Sequence, residues 1–244
     1  MSVKTLDRCT IDSSNQFWLH YLSLENSLVE ISDYVSFSAD NYSSYSLKTM
    51  QLIFSVCSEV DSILKHIHKD LYSKTSKEVE NLKINAHISM LLNNFPLLRD
   101  TIVTLNLSGT ILDLKPFELL FYEYELNQVK ACARKTVAAT LVQEYESLGG
   151  SWWKQYNNLK HQRLEHFKQA SLFNLIHSLS ALHVLNLIYA VIKDNLAISY
   201  ASILIQADSI QRFPVLQVKN GGLLIYFGSL CYGCHLNNNS IYPD

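Results

Sequence analysis

The segment 151–163 carries more side chains capable of proton transfer and anion binding than any other part of the chain. It reads Ser-Trp-Trp-Lys-Gln-Tyr-Asn-Asn-Leu-Lys-His-Gln-Arg. In a helix, Tyr156 lies one turn before Lys160 and Asn157 lies one turn before His161, so the four side chains form one ridge. Lysine attracts phosphate and histidine exchanges a proton near neutral pH. The ridge therefore suits a phosphodiester.

The charge of this segment differs from that of the whole chain. Twenty Lys and Arg residues against twenty-two Asp and Glu residues give a net charge of −2, which excludes a globally basic nucleic-acid-binding protein but permits a local basic surface. From residue 152 to residue 168 the single carboxylate is Glu165, against four cations: Lys154, Lys160, Arg163 and Lys168. A solvated helix face gives the same pattern, so that interpretation stays open.

Composition indicates the kind of fold that positions this segment. Hydrophobic residues make up 48% of the 244, with only seven glycines and four prolines, so a sizeable core and long uninterrupted helices are expected. We predict a mainly α protein, an antiparallel helical bundle with a small inserted β-hairpin. Residues 1–45 form an N-terminal arm that packs on the bundle, residues 46–213 form the bundle with the hairpin and its loop at 96–126, and residues 214–244 form a C-terminal tail.

Apolar spacing predicts the helices of the first half. A short helix is expected at 17–29 and a long one at 46–72, where apolar residues recur every three or four positions. A further helix is expected at 76–93, because Ser76 is followed by acidic residues that favour a helix start and Pro96 prevents continuation.

The period then changes to two, which indicates strands. Val103, Leu105 and Leu107 alternate with polar residues, and a turn at Ser108-Gly109 leads back to apolar residues at 111–114. With a two-residue loop, Leu105 faces Leu112 and Val103 faces Leu114.

Helical spacing returns in the second half. A helix at 127–147 ends at Gly149-Gly150, and Ser151 caps a helix at 151–169 that carries the ridge. Apolar helices at 170–193 and 195–211 and a strand at 223–227 follow. Polar residues such as Asn174 and His183 interrupt the apolar helix at 170–193 and would be costly in lipid, so we expect a buried helix and no membrane contact.

Two further observations exclude other classes. The polar start of the chain lacks the features of an export signal, so a cytoplasmic location is expected. Cys231, Cys234 and His235 have the spacing of a haem-attachment or half zinc site, but the haem requires export and the zinc requires a second ligand pair. We expect no metal and no cofactor.

Two segments resemble HEPN domains. Residues 58–65 (Ser-Glu-Val-Asp-Ser-Ile-Leu-Lys) are similar to the first-helix signature of that superfamily, and residues 156–163 (Tyr-Asn-Asn-Leu-Lys-His-Gln-Arg) are similar to its later helix. A run of Trp-Trp, Tyr-Asn and Lys-His-x-Arg also resembles uncharacterised bacterial proteins. HEPN proteins are α-helical, typically homodimers, and many are metal-independent endoribonucleases of prokaryotic defence or toxin systems, including defence against phage.

The resemblance implies roles for individual residues. His161 is the general base or acid when the RNA 2′-hydroxyl attacks the adjacent phosphate, Lys160 and Arg163 offset the developing charge, and Asn157 orients the phosphate or the imidazole. Glu59 on the early helix holds His161 or one of the cations. Candidate RNA contacts are Lys154, Tyr156 and Lys65.

The chain departs from the family's R-x(4–6)-H motif. With His161 and Asn157 aligned to the motif, Tyr156 stands at the position of the arginine, and Lys154 is the only cation at a permitted spacing. Either Lys154, Lys160 or Arg163 supplies the missing charge through a shifted geometry, or the site has lost catalysis and kept the scaffold.

Three functional hypotheses follow from these observations. The first is a ribonuclease or RNA-binding protein, which needs His161 exposed beside two cations. The second is a non-catalytic homodimeric scaffold, in which those groups lie in buried ion pairs. The third is a regulatory protein that binds a partner protein through an exposed apolar face of the helix at 170–192.

Overall fold

The protein is mainly α-helical, with a hairpin inserted between the helices, as the sequence predicts. A computed structural model describes residues 15–107, 110–131, 150–193, 203–204, 216–219 and 225–226. The helices within these ranges are α1 (Gln16–Ser32), α2 (Leu47–Leu71), α3 (Ser76–Glu80), α4 (Ile84–Asn94), α5 (Glu118–Ala131), α6 (Trp152–His161), α7 (Arg163–His166) and α8 (Leu172–Lys193). Short 3-10 turns span Ala39–Asn41, Pro96–Asp100 and Phe167–Gln169.

Helices α2 and α8 form the centre of the core. Their N-terminal ends meet where the Thr49 hydroxyl donates to the Ala170 carbonyl at 2.7 Å, and their C-terminal ends meet where Lys193 lies 2.9 Å from Asp70. These two helices therefore run parallel, which the long intervening chain permits. Helix α1 runs antiparallel to α2, since Phe17 packs near His66 and Glu30 pairs with Lys48.

Helix α8 is largely enclosed by protein. It is the one helix in the described ranges that is long and apolar enough to cross a membrane, and 94% of its apolar window is buried inside the molecule. Its Leu175, Ile176 and Leu179 have no exposed surface. The expectation of a buried helix is confirmed, and the described side chains of Leu172–Ala190 form no exposed apolar face of the kind that a partner-binding role requires.

The hairpin has the predicted register. Strands β1 (Ile102–Leu107) and β2 (Thr110–Leu114) are antiparallel, with Leu105 opposite Leu112 and Val103 opposite Leu114. The predicted turn at 108–109 lies outside the described residues. The apolar pairs place one face of the hairpin against the helices.

Three short strands complete the described elements: β3 (Ile203–Leu204), β4 (Leu216–Lys219) and β5 (Ile225–Tyr226). Strand β4 pairs antiparallel with β1, so the sheet order is β2-β1-β4. Strand β5, which the sequence predicts within 223–227, pairs in parallel with β3. The predicted helix at 195–211 is wrong at residues 203–204, where strand pairing prevails over helical spacing.

The structure corrects two other helix boundaries. The predicted helix at 76–93 is two helices, because Lys83 has an extended backbone (φ −78°, ψ 158°) between them. The helix predicted at 127–147 begins nine residues earlier, at Glu118, and its continuation beyond residue 131 lies outside the described residues. Between α3 and α4, residues 81–83 interrupt the helix. The apolar spacing on either side does not reveal this interruption.

Candidate functional site

Helix α6 begins as the sequence predicts. Gly150 adopts a positive φ of 80°, which glycine tolerates without strain. The Ser151 hydroxyl then accepts a hydrogen bond from the Lys154 amide at 3.2 Å and donates one to Glu123 of α5. This cap fixes the direction in which α6 leaves the double glycine.

The two tryptophans anchor α6 in the core. Trp152 is 2% exposed and Trp153 is 9% exposed, and the indole N–H of Trp152 donates to the Pro116 carbonyl at 2.7 Å. The burial of both indoles makes them core anchors, and neither is free to stack on a base. They occupy the buried side of α6, whereas Lys160 and His161 at its C-terminal end are exposed.

A network of carboxamides fastens α6 to α8. The buried Asn174 donates to the side chain of Gln155 and, at 2.7 Å, to the Gln169 carbonyl. Asn158 donates to the Gln169 side chain at 3.1 Å. Sequence reasoning missed this network, although an asparagine inside an apolar helix requires a partner.

The helix predicted at 151–169 breaks at Gln162. Helix α6 ends at His161, Gln162 has φ −139° and ψ 55°, and α7 begins at Arg163. Lys160 and Arg163 therefore lie on different helices, and of the two only Lys160 belongs to the predicted ridge. The basic residues Lys160 and His161 lie in the last turn of α6, where the exposed carbonyl groups favour positive charge.

The two cations border neighbouring aromatic rings in spite of this break. The ring of Tyr156 on α6 lies 5.9 Å from that of Phe54 on α2. Lys160 Nζ lies 5.8 Å from the Tyr156 ring centre, and Arg163 Cζ lies 5.9 Å from the Phe54 ring centre. Each cation thus borders one of two adjacent rings. We call Lys160, His161 and Arg163, with these two rings, the cationic surface.

The three polar side chains of the cationic surface are open to solvent. Lys160, His161 and Arg163 are all exposed. In the part of the chain that the structure describes, no carboxylate forms an ion pair with Lys160 or Arg163. Within the described residues their positive charge is therefore available to an external anion, and the buried ion pairs expected for a scaffold do not occur there.

Tyr156, one of the two rings of the cationic surface, is half-buried against α2. Burial raises the pKa of its phenol, and the nearby Cys57 and Asp61 raise it further. The hydroxyl therefore remains protonated at neutral pH and offers a donor as well as an acceptor. Asp61 itself lies 2.6 Å from Lys65, so that lysine, a predicted RNA contact, is paired within α2.

The sequence suggested that Glu59 holds His161 or one of the cations. In the structure Glu59 instead pairs with a residue of α1. Its Oε1 atom lies 2.9 Å from Nδ1 of His20 on α1. The side of α2 that carries Glu59 faces α1, whereas the side that carries Phe54 and Cys57 faces α6. Sequence reasoning missed His20, because the contact depends on how α1 packs against α2.

The remaining predicted site residues have intermediate exposure. Asn157 is half-buried on α6 beside the cationic surface, and Lys154 lies one turn earlier and is also half-buried. Among the described residues, no group of three or more His, Cys, Asp or Glu side chains could hold a metal ion. Cys231, Cys234 and His235 lie outside those residues.

Comparison of the chain with protein-family models, with curated proteins and with solved structures finds no match.

Proposed function

We propose that this protein binds RNA through the cationic surface, as a HEPN-like helical protein of a prokaryotic defence or stress system. The proposal is supported above all by one observation: Lys160 and Arg163 are exposed, border adjacent rings and lack carboxylate partners within the described chain. Exposed cations of this kind attract the phosphates of a nucleic acid. We further propose a homodimer in the cytoplasm, which would place two cationic surfaces on one particle.

Salt dependence of binding tests this proposal. Labelled RNA of mixed sequence is titrated with the full chain in the absence of divalent metal, and the dissociation constant is measured at several salt concentrations. The double variant Lys160→Ala, Arg163→Ala should bind at least tenfold more weakly. Its logarithmic salt slope should fall by about 1.4, since each lost phosphate contact removes about 0.7 for a single strand.

Lys77→Ala is the matched control, because Lys77 is exposed on α3 and the substitution removes one cation outside the cationic surface. This variant should bind as the wild type does. Equal affinity of the double variant and the wild type would overturn the proposal, and so would an equal loss in the Lys77 variant.

Cleavage of the bound RNA is the second candidate function. It is favoured by the exposure of His161 directly beside Lys160, because an accessible imidazole next to a cation can exchange a proton with a bound phosphodiester. In the proposed reaction the 2′-hydroxyl loses its proton to a base and attacks phosphorus, and the 5′-oxygen leaves with a proton. Products ending in a 2′,3′-cyclic phosphate, formed by the wild type and not by His161→Ala, would support it.

A further inference from the structure

Two buried histidines face each other between α2 and α4, far along α2 from the cationic surface. His87 of α4 has no exposed surface, and His68 of α2 is 7% exposed. Their ring centres lie 5.2 Å apart with planes at 88°. We call His68 and His87 the histidine pair.

The histidine pair lacks the hydrogen bonds that buried imidazoles usually make. Both ring nitrogens of His87 and Nδ1 of His68 are buried and have no hydrogen-bond partner among the described residues. A neutral imidazole already loses solvation energy in such a position, and a protonated one loses far more. The contact between α2 and α4 is therefore more stable when both imidazoles are uncharged.

The charged groups around the pair do not compensate the positive charge that a protonated imidazole would carry. Asp61 of α2 acts on His87, but it is already paired with Lys65 at 2.6 Å. The positive charge of Lys65 lowers the pKa of His87, and that of Lys74, just beyond α2, lowers the pKa of His68. Helix α5 and the turn at 96–100, which also pack against α4, contribute none of these charges in the described chain.

Burial is the main cause of the altered acid–base behaviour of the pair. It lowers the pKa of His87 from 6.5 to about 4, with His68 and Lys65 lowering it and Asp61 raising it. It also lowers the pKa of His68, with Lys74 adding to the effect. Both rings are neutral at pH 7, and both take up protons more readily when α4 separates from α2.

We propose that the histidine pair is an acid-sensitive latch that releases α4 from α2 when an imidazole takes up a proton. Helix α4 is short and is followed directly by the 3-10 turn at Pro96–Asp100, so it can separate without displacing the longer α2 and α8. Its release exposes the apolar Ile88, Met90 and Leu91, which now lie in the core. Mild acid would thus create a new apolar surface on an otherwise folded chain.

The sign and size of the effect follow from proton linkage. Because the pKa of His87 is lowered in the closed state, closure is favoured above pH 6.5 and is progressively lost as the pH falls toward 4. If the open state restores the ordinary value, the population with α4 open rises roughly twentyfold between about pH 7 and about pH 5.

Hydrogen exchange of the full chain at these two pH values tests the latch. After correction for intrinsic exchange rates, amides of α4 should lose about twentyfold of their protection in the wild type. At the lower pH they should still exchange faster than amides of α8, as local opening requires. The variants His87→Phe and His87→Leu should retain α4 protection, because neither side chain binds a proton.

His66→Gln is the matched control, since His66 lies on the exposed side of α2, the helix that carries His68. It should behave as the wild type does. The latch is overturned if α4 and α8 share one protection factor at the lower pH, because the chain then opens as a whole. It is also overturned if a folded His87 variant keeps the wild-type acid response.

A measurement on the wild type alone covers the case in which neither variant folds. The ring-proton resonances of His87 are followed by NMR from neutral to acid pH. A smooth titration at the ordinary histidine value, with no loss of α4 signals, would overturn the proposal. Loss of α4 signals before His87 titrates in the folded state would support it.

Discussion

The Nδ1 atom of His20 lies 2.9 Å from Oε1 of Glu59, so the Glu59 carboxylate faces α1 and not the cationic surface. His20 is 46% exposed and Glu59 is 20% exposed. Solvent screens such a pair, which limits what it adds to stability.

A double-mutant cycle should therefore find weak coupling in this pair. His20→Ala and Glu59→Ala are combined, and unfolding by urea gives the free energy of each variant. We expect a coupling of about 0.2–1 kcal/mol that decreases as salt is added. A coupling of several kcal/mol that persists in high salt would show that the pair is shielded from solvent.

Replacing His161 should affect chemistry without affecting the fold. Because its side chain is exposed, His161→Ala should change the free energy of unfolding by no more than about 0.5 kcal/mol. Any RNA cleavage should be lost at the same time. Denaturation followed by circular dichroism and a cleavage assay on the same preparation measure both effects, and cleavage that survives in the variant would remove His161 from the reaction.

The carboxamide network should contribute measurably to stability. Asn174→Ala removes the donor to Gln169 and Gln155 in a buried position, so we expect a loss of about 1–3 kcal/mol. Gln51→Ala, at an exposed position of α2, is the control and should change stability little. An Asn174 variant as stable as the control would mean that the network does not hold α6 against α8.

Acid should weaken the core around His183. This imidazole has no exposed surface, and burial lowers its pKa from 6.5 to about 3. Its contribution to stability is therefore intact above pH 6.5 and declines as the pH falls toward 3, by up to about 1.4 kcal/mol per pH unit. Urea unfolding at a series of pH values should show this dependence of the unfolding free energy on pH. In His183→Leu the dependence should be shallower by the contribution of about one bound proton, about 1.4 kcal/mol per pH unit. An unchanged slope in the variant would contradict the assignment.

The homodimer is tested by light scattering during size exclusion. The HEPN resemblance leads us to expect a particle of twice the chain mass at micromolar concentration. A monomer under these conditions would count against that resemblance while leaving RNA binding by the cationic surface open to its own test.

Local patterns in the sequence determined the elements that depend on near neighbours. Helical spacing predicted α2 and α8, the Ser151 cap fixed the start of α6, and alternation predicted the register of Leu105 with Leu112. Such features need only propensity, capping and side-chain period, which act over a few residues. Even His87 carried a signal, because Ile84, Ile88 and Leu91 place it on the buried stripe of α4.

Tertiary structure alone decided which of these elements meet. The break at Gln162 separates Lys160 from Arg163 along the chain, and packing of Phe54 against Tyr156 brings both cations to one surface. Packing likewise gives Glu59 to His20 and sets His68 against His87. These contacts join residues that are distant in sequence, so they follow from how whole helices bury their apolar faces and not from any local spacing.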